Sequence, residues 1–215
     1  MKDRIILDLC GGSGAWSKPY SDAGYDVRTI TLPDNDVRTY EPPANVHGVL
    51  AAPPCTEFSV VRRGRVEENH GPRNIERGME IVKACIRIID KANPKWWALE
   101  NPRGYLRHFY DKPPLTFQPW QYGDPWTKCT DIWGNYKIPA PIYTKWEDVP
   151  KNESLYIRKP RKKPNMVWFH ASAYDLIPAY HGLPRPQGNT AQARDAAFRA
   201  MTPQGFAKAF YAVNP

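Results

Sequence analysis

The stretch LDLCGGSGAW, residues Leu7 to Trp16, decides the fold. The apolar run RIILDL that leads into it reads as a strand, and the strand passes straight into Gly11, Gly12 and Gly14. Glycines there let the backbone turn sharply and let a ligand lie against it at the carboxyl edge of a sheet. A dinucleotide site would want G-x-G-x-x-G and an acid closing the second strand. Here Gly12 and Gly14 are followed by Ser17, and VRTITL ends without an acid. A plain tight turn is the simpler alternative for glycines in this position. Asp8, just ahead of them, suits a ligand carrying an amino-acid moiety better than a pyrophosphate.

Outward from that turn, short apolar runs alternate with helical stretches. YDVRTITL, VHGVLAA and KWWALE read as strands, whereas GAWSKPYSDAG reads as turn and helix. GMEIVKACIRIIDKA carries a helical stripe at Met79, Ile81, Val82, Ile86 and Ile89. This is the β-α-β alternation of an α/β fold, a mostly parallel sheet with helices on both faces. After Pro102 the chain turns rich in Pro, Trp and Tyr, and Trp126, Trp133, Trp146 and Trp168 point to an ordered segment rather than a linker. The last 26 residues return to helical periodicity around Phe198, Phe206 and Phe210, broken at Pro203.

At 215 residues the chain supports one domain with elaborations. Thirty Lys and Arg against 22 Asp and Glu give a net charge of +8, which suits a polyanionic partner such as nucleic acid. The four cysteines, Cys10, Cys55, Cys85 and Cys129, form no CxxC pair, so neither a zinc site nor a disulfide framework is indicated. No apolar run approaches a membrane span and the first residues lack a signal-peptide pattern. The expectation is a soluble, cytoplasmic monomer without a metal.

Two further positions carry chemistry. Cys55 follows the strand HGVLAA on a loop stiffened by Pro53 and Pro54 and leading into Arg62, Arg63 and Arg65, where positive charge favours the thiolate. Cys85, inside an amphipathic helix, reads as a small buried hydrophobe. Glu100 closes WWALENP; alone it could be a solvated or capping carboxylate. If the strands bearing Cys55 and Glu100 are neighbours, both converge on one crevice beside the glycine turn.

Together these pieces resemble the DNA (cytosine-5-)-methyltransferase family, in particular its compact phage-type members. DLCGGSGAWS, NDV at Asn35 to Val37, PPCTEFS, ENP, YGDPWTKCTDIWGN and MTPQGFAKAF occur in family order over nearly the whole chain, Pro-Pro-Cys with the later Glu-Asn-Pro being the specific part. The resemblance implies a Rossmann-like methyltransferase core over residues 1–135 and 190–215. It also implies a small target-recognition insertion over 136–189.

It implies transfer of a methyl group from S-adenosyl-L-methionine, leaving S-adenosyl-L-homocysteine, to C5 of a cytosine flipped out of double-stranded DNA. Cys55 would add to C6 and Glu100 would hold and protonate N3. Lys128, in WTKCT, would stand as the cation near the base in place of the family's arginine. The donor would be held by Asp8, Cys10, Gly11, Gly12, Gly14, Asp36, Val37, Pro53, Thr202 and Pro203, with Cys10 replacing the usual phenylalanine. The acid that usually follows the second strand is missing, Thr31 and Leu32 standing there instead. Arg62, Arg63 and Arg65, with Arg158, Lys159, Arg161, Lys162 and Lys163 of the insertion, would contact phosphates. An RNA cytosine methyltransferase, a noncatalytic DNA-binding relative and an enzyme of free cytidine nucleotides are the competing readings.

Overall fold

A computed structural model describes residues 4–60, 71–156 and 162–215. The chain divides into two units. The first comprises Met1–Gly11, Ala23–Thr116 and Thr130–Tyr136, and the second Gly12–Asp22, Phe117–Cys129 and Lys137–Pro215.

The first unit is built on a sheet of β1 (Ile5–Leu9), β2 (Asp26–Ile30), β3 (Val46–Ala51), β4 (Trp96–Pro102), β5 (Leu115–Phe117) and β6 (Thr130–Asn135), in the order β2-β1-β3-β4-β6-β5. The pairings β1–β2, β1–β3 and β3–β4 are parallel and β4–β6 is antiparallel. The mostly parallel sheet expected from the β-α-β alternation is therefore present. Parallel neighbours bring the carboxyl ends of β1, β3 and β4 to one edge.

The long helix of this unit, Ile75–Ala92, forms where the apolar stripe predicts it. Asn74 caps its start by accepting from the Arg77 N–H at 2.9 Å, and Asn93 ends it in a left-handed conformation with its N–H on Ile89 O. Val82, Cys85, Ile88 and Ile89 are buried against Leu7, Leu9, Val49, Ala51 and Leu99 of the sheet. Full burial of one such side chain contributes about 1.5–3 kcal/mol, so this stripe fixes the helix to its face of the sheet. Ile6, Asp8, Leu50, Ala98 and Glu100 alternate with those residues and point to the opposite face.

The second unit contains the short helix α1 (Lys18–Asp22) and, at its end, two helices, Ala191–Ala200 and Gln204–Val213. They separate at Pro203, as the proline predicts. Its core gathers Trp126, Leu155, Met166, Phe169, Tyr174, Tyr180 and Phe198. Among the described residues between 146 and 180 the regular structure is a series of short 3-10 helices, so this part is ordered by packing rather than by long helices. Trp126 is buried there while Trp168 stays 52% exposed. Asp124, 4% exposed, caps the last helix by accepting the Gly205 N–H at 2.8 Å, and burial pushes its carboxyl up to about 7.

Candidate active site

The site residues of the first unit are assembled by strand register. Asp8 pairs with Leu50 and Leu50 with Ala98, so Asp8 and, two residues past Ala98, Glu100 lie on the same face of the sheet. Cys55 follows β3, which runs between their strands. Asp8 is fully buried and Glu100 7% exposed, whereas Cys55 is partly exposed. Glu100 lies in the strand, as the reading of KWWALE expects, and is buried rather than solvated. Strand β4 continues to Pro102 because β6 pairs with it through Glu100↔Ile132, Asn101↔Asp131 and Pro102↔Thr130.

The Cys55 loop is held at both ends. At the near end the fully buried Asn101 donates from Nδ2 to the Pro53 carbonyl at 3.0 Å, tying the loop to the residue after Glu100. At the far end the Cys55 carbonyl accepts from the N–H groups of Phe58 (3.0 Å) and Ser59 (2.8 Å), closing a turn around the cysteine. Phe58 is fully buried, and its carbonyl accepts from the Tyr105 N–H at 2.8 Å. A Cβ on Gly104 would lie 2.2 Å from that carbonyl oxygen, so only glycine fits. Arg73 donates to the carbonyls of Glu57 and Ser59 and lies 4.3 Å over the Tyr105 ring. Asn101, Arg73 and Gly104 had escaped the sequence reading; Asn101 alone had a signal, its place in Glu-Asn-Pro.

The glycine turn is close-packed where it leaves β1. Cys10 takes a left-handed φ of 57° and donates its N–H to Ile30 O at 2.8 Å. A Cβ on Gly11 would fall 2.2 Å from the Asp8 carboxyl carbon, which explains the glycine. Gly12, with φ of 52°, opens onto free space: a Cβ there would meet nothing within 4 Å. A cleft of about 470 Å³ in the same unit is lined by Leu32, Arg38, Pro54, Thr56, Glu57, Arg77 and residues Gly78, Glu80 and Ile81 of the long helix. Arg38 clamps Asp36 from Nε at 3.0 and 2.9 Å and from its backbone N–H at 2.9 Å, holding that carboxyl below its usual range. Val37 is buried and its carbonyl accepts from Arg87 at 3.1 Å.

Residues 21–115, which carry Cys55 and Glu100, match the family model of C-5 cytosine-specific DNA methylase. The match covers less than half of the chain. The chain is also similar to a protein described as a DNA modification methyltransferase encoded within a prophage (E. coli), with TM-score 0.50 and 14% identity over 74% of this chain and 56% of that one. Against Spodoptera frugiperda DNMT2 the TM-score is 0.43 and the identity 19%, over 73% of this chain and 60% of that one. The chain thus spans less than two thirds of either, and the likeness to the first is one of fold alone. No curated protein matches the chain.

The remaining expected residues of the methylase site lie in the second unit or outside the described residues. Gly12 and Gly14 share their unit with Thr202 and Pro203, and Gln204 links the two segments: its Nε2 donates to Ala15 O at 2.6 Å and to Thr202 O at 3.2 Å. Gln204 is a further residue that sequence reasoning passed over. Lys128 donates its N–H to Gln118 Oε1 at 3.0 Å and its Nζ reaches Met201 O at 3.5 Å. Lys162 and Lys163 are exposed, with Lys163 Nζ 5.3 Å over the Trp146 ring and 5.5 Å over that of Trp120. Arg62, Arg63, Arg65, Arg158, Lys159 and Arg161 lie outside the described residues. No helix among the described residues is long and apolar enough to cross a membrane, and no cluster of His, Cys, Asp and Glu among them has metal-site geometry.

Proposed function

We propose that the protein methylates cytosine at C5 in DNA through a covalent cysteine adduct. The observation that carries this reading is the register that puts Asp8, the Cys55 loop and Glu100 at one edge of one sheet, with Asn101 joining the loop to the Glu100 strand. Cys55 is the nucleophile: its thiolate attacks C6 of the cytosine and turns C5 into an enamine-like carbon. Glu100, buried on its strand, hydrogen-bonds and protonates N3, which draws electron density from the ring and makes C6 receptive to sulfur. Loss of the C5 proton then lets the Cys55–C6 bond break. Lys128 supplies positive charge near the base. C6 is unreachable inside a stacked duplex, so the reading requires a flipped base.

S-adenosyl-L-methionine, when bound, supplies the electrophilic methyl group. The residues present fit it: Gly12 faces open space, Gly11 is pressed on the buried Asp8, and the cleft beside the Cys55 loop offers Leu32, Pro54 and Ile81 as apolar walls. Asp8, Cys10, Gly11, Gly12, Gly14, Asp36, Val37, Pro53, Thr202 and Pro203 hold the donor in this reading. Residues 136–189 act as the target-recognition insertion, with Lys162 and Lys163, together with Arg158, Lys159 and Arg161, on phosphates; Arg62, Arg63 and Arg65 do the same from the catalytic loop. The protein works as a cytoplasmic monomer.

Expression in a methylation-free host followed by bisulfite conversion tests activity and substrate together. C5-methylcytosine at a recurring sequence in genomic DNA is expected. Its absence from DNA together with its presence in RNA would favour the RNA-methylating alternative.

A further inference from the structure

Trp120 and Trp146 meet almost at a right angle in the second unit, and one lysine lies over both rings. Trp120 belongs to the 3-10 turn Pro119–Tyr122, whose start is fixed by the Gln118 N–H on Gln121 Oε1 at 2.7 Å. The Gln121 carbonyl accepts from the N–H groups of Ile142 (2.8 Å) and Tyr143 (3.0 Å), which brings the segment leading to Trp146 alongside that turn. The two indoles then stand with centroids 6.4 Å apart and planes at 88°, both partly exposed. Lys163 is placed by its neighbour: the carbonyl of the buried Pro164 accepts from the Thr127 N–H at 2.8 Å and from Thr127 Oγ1 at 3.1 Å. Lys163 Nζ sits 5.3 Å from the Trp146 centroid and 5.5 Å from that of Trp120, and among the described residues it has no carboxylate partner. Lys151, 4.4 Å over the Trp146 ring, differs in being tied down, since its Nζ donates to the carbonyls of Trp146 and Val149.

We infer that this tryptophan corner is a stacking site for an unpaired base of a nucleic-acid strand, with Lys163 moving from the rings to the adjoining phosphate. Half-open indole faces suit any nucleobase, because every base has a π-face. The charge around them suits the phosphates: Lys145, Lys151, Lys162 and Lys163 outnumber Glu147 and Asp148 among the exposed residues of the segments that build the corner. A cationic ligand would meet two ammonium groups already over the rings. Magnitudes decide which occupant wins. An exposed ammonium on a ring face is worth about 2- to 5-fold in affinity, whereas a stacked base is worth about 5- to 150-fold. The base therefore displaces Lys163, and the freed ammonium gains a phosphate. Such a site holds a strand without reading its sequence, and its dependence on bases sets it apart from the phosphate contacts of the basic cluster. A flipped cytosine leaves its partner base unpaired, so the reaction proposed above supplies a ligand of this kind, and to that extent the inference rests on that reading.

The test measures binding of the full chain, by fluorescence anisotropy at one salt concentration, to three labelled probes of equal length: a thymidine homo-oligomer, an abasic deoxyribose-phosphate oligomer and a duplex. Wild type should bind the thymidine oligomer about 5-fold or more tighter than the abasic one. Trp146→Ala and Trp120→Ala should each reduce that ratio while leaving affinity for the abasic oligomer unchanged. Trp146→Phe keeps a stacking face and should retain most of the ratio, which separates lost stacking from lost folding. Lys163→Ala should weaken both single-stranded probes. Equal affinity of wild type for the two oligomers, or a ratio untouched in Trp146→Ala, would overturn the inference, and with duplex binding intact it would leave the proposed function standing. Tighter binding of a trimethyllysine peptide than of the thymidine oligomer would overturn it in favour of a cation cage. Absence of binding to all three nucleic-acid probes would refute the DNA partner as well.

Discussion

Asn101 offers a sharp test of how the Cys55 loop is positioned. Its side chain is fully buried, its Nδ2 donates to the Pro53 carbonyl at 3.0 Å, and its Oδ1 has no partner among the described residues. Replacing it with alanine strands a carbonyl of the buried Pro53, which costs about 1–3 kcal/mol; removing the orphaned Oδ1 offsets part of this. A net loss of about 1–2 kcal/mol lowers the melting temperature by roughly 2–8 °C in a chain of this size. Asn101→Asp keeps the size but presents only acceptors to Pro53 O. It also places a carboxylate opposite Asp131, itself fully buried and held by Arg107 at 2.6 Å. An uncompensated buried charge costs several kcal/mol, so the new carboxyl takes up a proton in the folded state and its folded pKa rises above its unfolded one. The folded state then binds more protons than the unfolded state, and stability relative to wild type falls as pH rises. Urea denaturation of wild type, Asn101→Ala and Asn101→Asp at pH 5 and pH 8 measures this. Asn101→Asp should lose more at pH 8 than at pH 5. Equal stability of Asn101→Asp and wild type at pH 8 would refute the reasoning.

Further outcomes follow from other parts of the molecule. Glu100→Gln retains a hydrogen-bonding side chain but no acid, so single-turnover methylation should slow by roughly 10²-fold or more while donor binding measured by calorimetry holds. Asp124, raised to about 7 by burial, is protonated when folded and ionised when unfolded between the two pKa values, so it removes stability as pH climbs through that window; denaturation midpoints of Asp124→Asn should be flatter there than those of wild type. Alanine at Arg158, Lys159, Arg161, Lys162 and Lys163 should weaken target and nontarget duplexes alike and reduce the slope of log K against log salt by about one unit per lost contact, with the methylated sequence unchanged.

The first four strands, the long helix and the break at Pro203 were legible because each rests on local pattern: apolar runs, a helical stripe and a residue that cannot donate; β5 and β6 were not read as strands. Cys55 and Glu100 were legible as chemical types at strand ends. What holds them was not, because it is long-range. Glu100 reads as the last residue of a strand, and only pairing with β6, some thirty residues later, carries that strand on to Pro102. Arg73 and Gly104 act on backbone carbonyls of the Cys55 loop, and no pattern in their own neighbourhoods marks a partner 14 to 46 residues away. Gln204 reads as one more helical residue until Ala15, 189 residues earlier, is seen to accept from it.

Covalent capture tests the central claim most directly. Duplex DNA containing 5-fluorocytosine at the methylated position, incubated with the protein and S-adenosyl-L-methionine, should yield a complex that survives denaturing electrophoresis, because fluorine at C5 blocks the elimination that frees the cysteine. Peptide mapping of that complex should place the nucleotide on Cys55, and Cys55→Ser should give none. An adduct of equal yield with Cys55→Ser, or a nucleotide mapped to Cys10, Cys85 or Cys129, would contradict the account.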